Sequence, residues 1–433
     1  MNRQILRLAL PAIVSNITVP LLSMVDIAIV GHMQNVSCLA AISVGAMLFN
    51  VIYWVFGFLR MGTSGLVSQA LGRQDSTAIS RMIRRALTIG ITIGVLFVIL
   101  QWPLRTVMFW LLSVTPDALP FVTTYFNVCI LGAPAVLAMT ALLGIFIGLQ
   151  NTRIPMLVAI VQNVVNVCLS VFFVFVCKMS IEGVALGTML AQWIGFVLAF
   201  VALFKYYGEY VRQQGDFSLS MFRDEEAMRF FSINRDVFLR TLCLVSVNMF
   251  FTSAGSMQGD VILAVNTLLM TFFTMFSYIM DGFAFAGEAL CGRFLGADDQ
   301  PGMRSLHRHL LAWAFWLTGL FVLVYCLLGH RFVALLTDNQ EVIVSAEPYI
   351  FWILVIPPAG VLAFIYDGLF IGMTRTREML FSCLGGALCF FCVFLMLKPS
   401  LANQALWLAL VLYLFVRGIF LMWRFKRRSP YTS

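Results

Sequence analysis

Long apolar runs recur along the chain, near residues 8–30, 39–70, 86–110, 121–149, 154–176, 183–204, 237–258, 261–292, 310–328, 349–373, 379–397 and 404–423, broken by short stretches of charge, Gly and Pro. A helix that crosses a bilayer needs about 20 mainly apolar residues, and in lipid every backbone polar group must be satisfied within the segment itself. The pattern therefore predicts an all-α integral membrane protein with twelve transmembrane helices. The longest polar connection, roughly Lys205 to Asp236, separates six runs from six. It predicts an N-terminal six-helix bundle over 1–215, a cytoplasmic linker over 216–236 and a C-terminal six-helix bundle over 237–433.

The two halves repeat. Pro134, Ala135, Gly144, Phe146, Ile147, Gly148, Thr152 and Arg153 recur 224 positions later as Pro358, Ala359, Gly368, Phe370, Ile371, Gly372, Thr376 and Arg377. Shared apolar composition does not produce so many gapless identities, Gly and Pro among them. A weaker match sets Gly57, Phe58 and Gly62 against Gly282, Phe283 and Gly287, and, after a one-residue slip, Leu71, Gly72 and Asp75 against Leu295, Gly296 and Asp299. Each half holds an even number of spans, so both enter from the same face. The two bundles are then pseudo-symmetric in the parallel (6+6) sense, with the axis along the membrane normal, an arrangement of secondary transporters.

Composition agrees. Of 433 residues, 61% are hydrophobic and only 11% charged, with a mean hydropathy of +0.94, against about 25% charged in soluble domains. A soluble enzyme and a nucleic-acid-binding protein are excluded, and the +8 net charge matters only through its distribution. Arg105, Lys178, Arg331 and Lys398 fall in odd-numbered connections and Arg60 in a span; the remaining Lys and Arg are assigned to the even-numbered connections and the termini. The positive-inside rule then puts both termini in the cytoplasm, in a plasma (inner) membrane. The N-terminus imitates a signal peptide, with Arg3 and Arg7 before an apolar stretch, but no small-residue cleavage site follows, which predicts a retained first helix. The ten cysteines are scattered, Cys389 and Cys392 lie in an apolar run, and His32, His307, His309 and His330 show no ligand spacing. No metal site, cofactor or nucleophilic constellation is expected.

Ionisable groups within spans carry the functional signal, because each costs about 2.5 to 3.5 kcal/mol at a bilayer centre. Asp26 sits toward the outer end of the first span. Asn163, Asn166 and Ser170 share one face of the fifth, and Tyr125 and Thr188 begin the fourth and sixth from the outer side. At about 1.5 Å per residue these groups reach one depth. A carboxyl among amides and hydroxyls suits a proton or small cation; the plainer alternative is that Asp26 only hydrogen-bonds neighbouring helices or meets interfacial water. Pro11 and Pro20 precede Asp26 on its own helix, and each favours a bend. In the second half, Asp281 and Glu288 on the eighth span and Asp367 on the tenth are candidates for a cationic substrate or a second proton, or else for pairing with interfacial Lys and Arg. Arg60 is read as the only basic residue well inside a span. It is a candidate inter-lobe gate through Glu288 or Asp281, testable by charge exchange, or a snorkelling side chain.

The stretches LALPAIVSNITVPLLSMVDIAIVGHM (8–33), FGFLRMGTSGLVSQALGR (56–73), MDGFAFAGEALCGRFLGA (280–297) and YDGLFIGMTRTREM (366–379) resemble the MATE family of multidrug and toxic compound extrusion transporters, and most of all its DinF-like branch. The resemblance spans essentially the whole chain. It implies a secondary antiporter that exports amphiphilic, often cationic compounds in exchange for protons or sodium, with Asp26 as the coupling carboxylate, Asn166 and Thr188 as its polar neighbours and Pro11 in a bending first helix. Many relatives carry a second Asp four residues after the fifth-span Asn, where this chain has Ser170. Losing that charge weakens a site for sodium more than one for a proton, which favours H+ over Na+.

The expected function is thus proton-coupled efflux of small molecules that enter a cleft open to the cytoplasm, by a protein seated in the lipid bilayer, functional as a monomer and not an enzyme. The alternatives are a sodium-coupled or organic-anion exporter of the same fold, a lipid-linked oligosaccharide flippase, which needs a cationic cavity, and a non-transporting membrane scaffold.

Overall fold

The computed structural model describes residues 1–31, 36–112, 118–212 and 224–428; the side chains of 19, 21–24, 26–31, 36–41 and 110–112 lie outside that description. Within it the chain is helical throughout. The first half comprises α1 (Asn2–Gly31), α2 (Val36–Val55), α3 (Phe58–Gly72), α4 (Ser76–Ile99), α5 (Gln101–Leu112), α6 (Leu119–Cys129), α7 (Ala133–Gly148), α8 (Arg153–Val171) and α9 (Ile181–Arg212). The second comprises α10 (Glu225–Ser256), α11 (Asp260–Gly296), α12 (Gln300–Leu336), α13 (Gln340–Ala346), α14 (Ile350–Gly372), α15 (Thr376–Leu401) and α16 (Asn403–Arg428). Eleven helical spans among the described residues are long and apolar enough to cross a membrane, and α1, at 30 residues, completes the twelve.

Several helices outrun their apolar runs. α10 begins about three turns before residue 237, and α9 continues to Arg212 past a distorted turn at Tyr207 (φ −133°, ψ 24°), so helix takes up much of the expected Lys205–Asp236 connection. The hydroxyl of Tyr207 accepts a hydrogen bond from Asn151 Nδ2 at 3.0 Å. α2 and α3 form one span, interrupted at Gly57. α6 and α7 form another, with a tighter turn over Ile130–Gly132 just before Pro134, where the missing N–H and fixed φ disfavour a regular turn. α1 is continuous through Pro11 and Pro20.

Two compact units emerge: Val14–Phe231, and Met1–Ile13 together with Ser232–Ser433. Two helices are therefore shared. α1 gives its first turns to the second unit, where Asn2 Oδ1 accepts from Trp313 Nε1 (3.2 Å) and the Ala9 carbonyl and Ile13 lie against Gly282. α10 gives its first turns to the first unit. There Asp224 accepts two bonds from Arg85 Nη2 (2.9 and 3.0 Å) while its Oδ1 caps the Ala227 N–H, and Glu226 pairs with Arg81 at 3.0 Å.

Each unit is built around one helix buried on nearly every side, α7 in the first and α14 in the second, as expected for helices apolar all round. The repeat holds in three dimensions at a constant offset of 224. A Cβ on Gly144 would lie 2.5 Å from the Arg60 carbonyl and one on Gly148 2.9 Å from that of Ser64. In the second unit Gly368 meets the Ala284 carbonyl and Gly372 the Glu288 carbonyl, so α7 crosses α3 as α14 crosses α11. This corrects the one-residue slip inferred for Gly57–Gly62: the backbone crossing pairs Arg60 with Ala284 and Ser64 with Glu288, and the Gly-Phe match one register away is a coincidence of composition. Among the described residues, all six non-glycine residues with positive φ obey the same offset: Gln74 and Asp298, Gln150 and Thr374, Lys178 and Ala402.

Candidate functional site

In the first unit, three of the expected polar residues meet between α8 and α9. Asn166 Nδ2 donates to Thr188 Oγ1 at 3.1 Å, and the Thr188 hydroxyl in turn donates to the Val184 carbonyl at 3.0 Å. These two bonds fix the amide so that its oxygen points away from Thr188. One turn further on, Ser170 is fully buried. It lies against Gly187, where a Cβ would fall 2.6 Å from Ser170 Oγ and 2.9 Å from Ser170 N, so only glycine admits this approach. Asn166 Oδ1 and Ser170 Oγ are both buried without a hydrogen-bond partner among the described residues. Such orphaned groups are costly inside a protein and call for a ligand or partner.

α1 reaches this patch at two points. Asn163 Nδ2 donates to the Thr18 carbonyl at 3.3 Å, and Val25 packs against an aromatic-rich core containing Phe49, Tyr125, Phe126, Val184 and Ala185. The Asp26 side chain itself lies outside the described residues. Tyr125 is buried with its ring facing Gly45 and edge-on to Phe49 (6.4 Å between centroids), one turn of α9 from Thr188 through the shared Val184–Ala185 core. Of the residues the sequence proposed, the structure thus joins Asn166 directly to Thr188 and Ser170 to the same seam, bonds Asn163 of α8 to the α1 backbone, and keeps Tyr125 in the adjoining core.

The second unit is different. Asp367 Oδ2 accepts from Arg417 Nη2 at 2.7 Å and from Arg240 Nη2, and all three residues are buried. This corrects the sequence reading on two counts. Arg240 and Arg417 are intramembrane arginines, not part of the connections, so Arg60 is not the only one. Asp367 is held between two guanidinium groups, which is the pairing alternative, made with arginines of its own unit and not with interfacial ones. The signal was present, since FLRTLCLV and LFVRGIFLMW each set an Arg inside an apolar run. Asp281 and Glu288 lie on α11, Glu288 buried with its carbonyl at Gly372, and Arg60 lies on α3 with its carbonyl at Gly144.

A second polar knot that sequence reading missed joins α11 and α16. Asn266 and Asn403 exchange two amide hydrogen bonds of 2.9 Å, and Trp407 Nε1 donates to Asn266 Oδ1 at 2.9 Å, all buried. Nothing marks two asparagines 137 positions apart as partners until the fold is known.

The MatE family model matches residues 11–172 and 237–394, one match in each half. The chain is 34% identical to the DNA damage-inducible protein F of Escherichia coli (strain K12), over 98% of this chain and 92% of that protein. It is 24% identical to the probable multidrug resistance protein NorM of Photorhabdus laumondii, over 99% and 96% of the two chains. Among solved structures, a MATE crystal structure in a bent conformation superposes with a TM-score of 0.87 at 18% identity, covering 99% of this chain and 96% of that one.

Proposed function

Because this chain belongs to the MATE family of multidrug efflux transporters, and is a multi-pass membrane carrier rather than an enzyme, we propose that it exports amphiphilic compounds, cationic ones foremost, in exchange for protons by alternating access. Both termini face the cytoplasm and one chain suffices.

The observation that supports proton coupling is the buried Asn166 Oδ1, an acceptor with no donor among the described residues. With α1 and α8 both odd-numbered crossings and so parallel, seven residues beyond the Thr18–Asn163 bond are Val25 and Ser170, about 10.5 Å up each helix. Asp26 follows Val25 at that level. A protonated carboxyl has an O–H to donate to such an acceptor, whereas a carboxylate has only acceptors. In this reading a protonated Asp26 satisfies Asn166 Oδ1 while the Ser170 hydroxyl can bond to either form, so arrival or loss of one proton changes how firmly α1 is held to α8. Sodium gains less here, because Ser170 and Asn166 offer it neutral oxygens only.

In this reading Asp26 is protonated from outside, α1 is drawn onto the seam and substrate is released; deprotonation toward the cytoplasm resets the carrier. One elementary charge moved across 100 mV is worth about 2.3 kcal/mol, or roughly fiftyfold accumulation. The test is substrate flux in proteoliposomes under separately imposed pH and sodium gradients at clamped potential. A pH gradient alone should drive export, and Asp26→Asn should abolish substrate-linked proton movement. Flux driven by sodium at fixed pH would overturn proton coupling.

A further inference from the structure

The last helix outruns its apolar run, and its end is fixed in place. The run stops near residue 423, yet α16 continues through Trp423, Arg424, Phe425, Lys426 and Arg427. Phe425 anchors this end: it is buried, its ring stacks on His307 of α12 at 4.7 Å between centroids, and His307 Nε2 meets the Tyr366 hydroxyl of α14 at 3.0 Å. Trp423 and Arg427, two positions to either side of Phe425, fall on the opposite face of the helix, and both are exposed.

There two guanidinium groups share one indole. Arg424 lies 5.5 Å and Arg427 5.3 Å from the centroid of the Trp423 ring, and Arg424 also lies 5.5 Å from that of Phe420. Stacking on a ring leaves the N–H edges of a guanidinium for other acceptors. None is supplied: among the described residues neither arginine takes part in an ion pair or a hydrogen bond, and Arg424 Nε is buried without a partner. The acids on α12, α14 and α15 and the turns leading into them are engaged elsewhere or precede α12. Glu378 pairs with Arg375 at 2.7 Å, Asp367 accepts from Arg240 and Arg417, Asp299 caps the Gly302 N–H, and Asp298 stands in the turn before α12. The other charges at that end are basic, with Arg304 and Arg308 exposed on α12, Arg377 on α15 and Lys426 beside His307. No Asp or Glu follows Glu378 in the sequence.

We propose that Arg424 and Arg427, held on Trp423, form a binding site for the headgroup phosphate of an anionic phospholipid. A guanidinium meets a phosphate through two parallel hydrogen bonds, which the uncommitted edges of both side chains can supply. Position selects a lipid over a soluble anion. Leu412, Phe415, Ile419 and Trp423 follow one another at helical spacing and lead to Arg427, with Phe415 and Trp423 exposed, so an acyl chain can lie along the helix while its headgroup meets the arginines. A tryptophan at the end of an apolar run sits at headgroup level. The site occupies one half only: at the constant offset of 224, Trp423, Arg424 and Arg427 correspond to Ala199, Phe200 and Leu203. The proposal rests on no assignment of substrate or coupling ion.

The test is binding to the purified full-length protein in neutral detergent, read as a saturable rise of Tm on titration with dioleoylphosphatidylglycerol, dioleoylphosphatidylcholine or sodium phosphate. Phosphatidylglycerol should reach half-saturation at a concentration about tenfold below that of phosphatidylcholine, and sodium phosphate should give no rise. Arg424→Gln/Arg427→Gln should erase this preference. Trp423→Leu keeps both charges but removes their platform, and should weaken the preference about threefold. Arg3→Gln/Arg7→Gln, which removes two charges elsewhere, should keep it within about twofold of wild type. Equal half-saturation by the two lipids in wild type, an undiminished preference in either α16 variant, or an equal loss in Arg3→Gln/Arg7→Gln would overturn the proposal. A rise with sodium phosphate alone would give the arginines to a soluble anion and overturn the lipid assignment.

Discussion

Asp75 and Asp299, 224 positions apart, cap their helices in the same way: the Oδ1 of each accepts the backbone N–H three residues on, from Ala78 at 2.9 Å and from Gly302 at 2.8 Å. Each follows a residue in the left-handed region, Gln74 (φ 58°) and Asp298 (φ 53°), so the chain turns and then starts a helix by the same device in both halves. Replacing either aspartate with alanine should cost about 1 kcal/mol, read as a lowered Tm in detergent.

Asp75 also sets a pH dependence. Hydrogen bonds from the Thr77 hydroxyl and the Ala78 N–H hold its carboxyl below its ordinary value. A carboxyl depressed in the folded state contributes stability that is full above its unfolded value and is lost as pH falls through the folded one. Wild type should therefore lose more stability on acidification into that range than Asp75→Asn, whose amide does not titrate. Equal acid sensitivity of the two proteins would show that the cap contributes nothing ionic.

Gly144 and Gly368 each face a backbone carbonyl, of Arg60 and of Ala284. Valine at either position must push the helices apart and should destabilise by about 1 to 3 kcal/mol. The two variants should behave alike because the crossings are alike, and comparison of their thermal unfolding checks both the size and the parity.

At the α8–α9 seam, Asn166→Leu removes both the bond to Thr188 and the waiting acceptor. Substrate-linked proton flux should fall at least tenfold with the protein still folded. Ser170→Ala deletes one orphan acceptor and should reduce proton flux less than Asn166→Leu. Proteoliposome flux with a pH gradient measures both, and unchanged flux in Asn166→Leu would separate the seam from coupling.

The guanidinium of Arg85 is buried and takes both carboxylate oxygens of Asp224. Asp224→Ala removes the bidentate carboxylate from that buried charge and should cost about 3 kcal/mol, the low end for a broken buried pair because Asp224 is partly exposed. Loss of α10's first turns would follow as faster proteolysis near residue 224.

The twelve spans and the duplication were legible because lipid imposes long apolar runs and because the Gly and Pro of α7 and α14 are required by backbone approach. Asn163, Asn166 and Ser170 were legible as polar residues on one face of α8. What escaped depends on partners distant in sequence. Asp367 announced itself as an intramembrane acid, but its neutralisation by Arg240 and Arg417 depends on helices 127 and 50 positions away meeting at one point. Arg417 was also mistaken for part of the basic tail, since positive-inside reasoning sorts charge by connection and does not ask whether an Arg is flanked by apolar residues on both sides. The Asn266–Asn403–Trp407 knot has no local signature at all.

The sharing of α1 and α10 between the units bears on whether the protein can be divided. A polypeptide starting at Ser232 would be born without the thirteen leading residues that complete its packing, and one ending at Arg212 would lack the segment that neutralises Arg85. Two such fragments should be recovered from membranes only when produced together, and a cut between Phe231 and Ser232 should be tolerated better than one at Arg212. Independent accumulation of either fragment would show that the exchanged ends are dispensable.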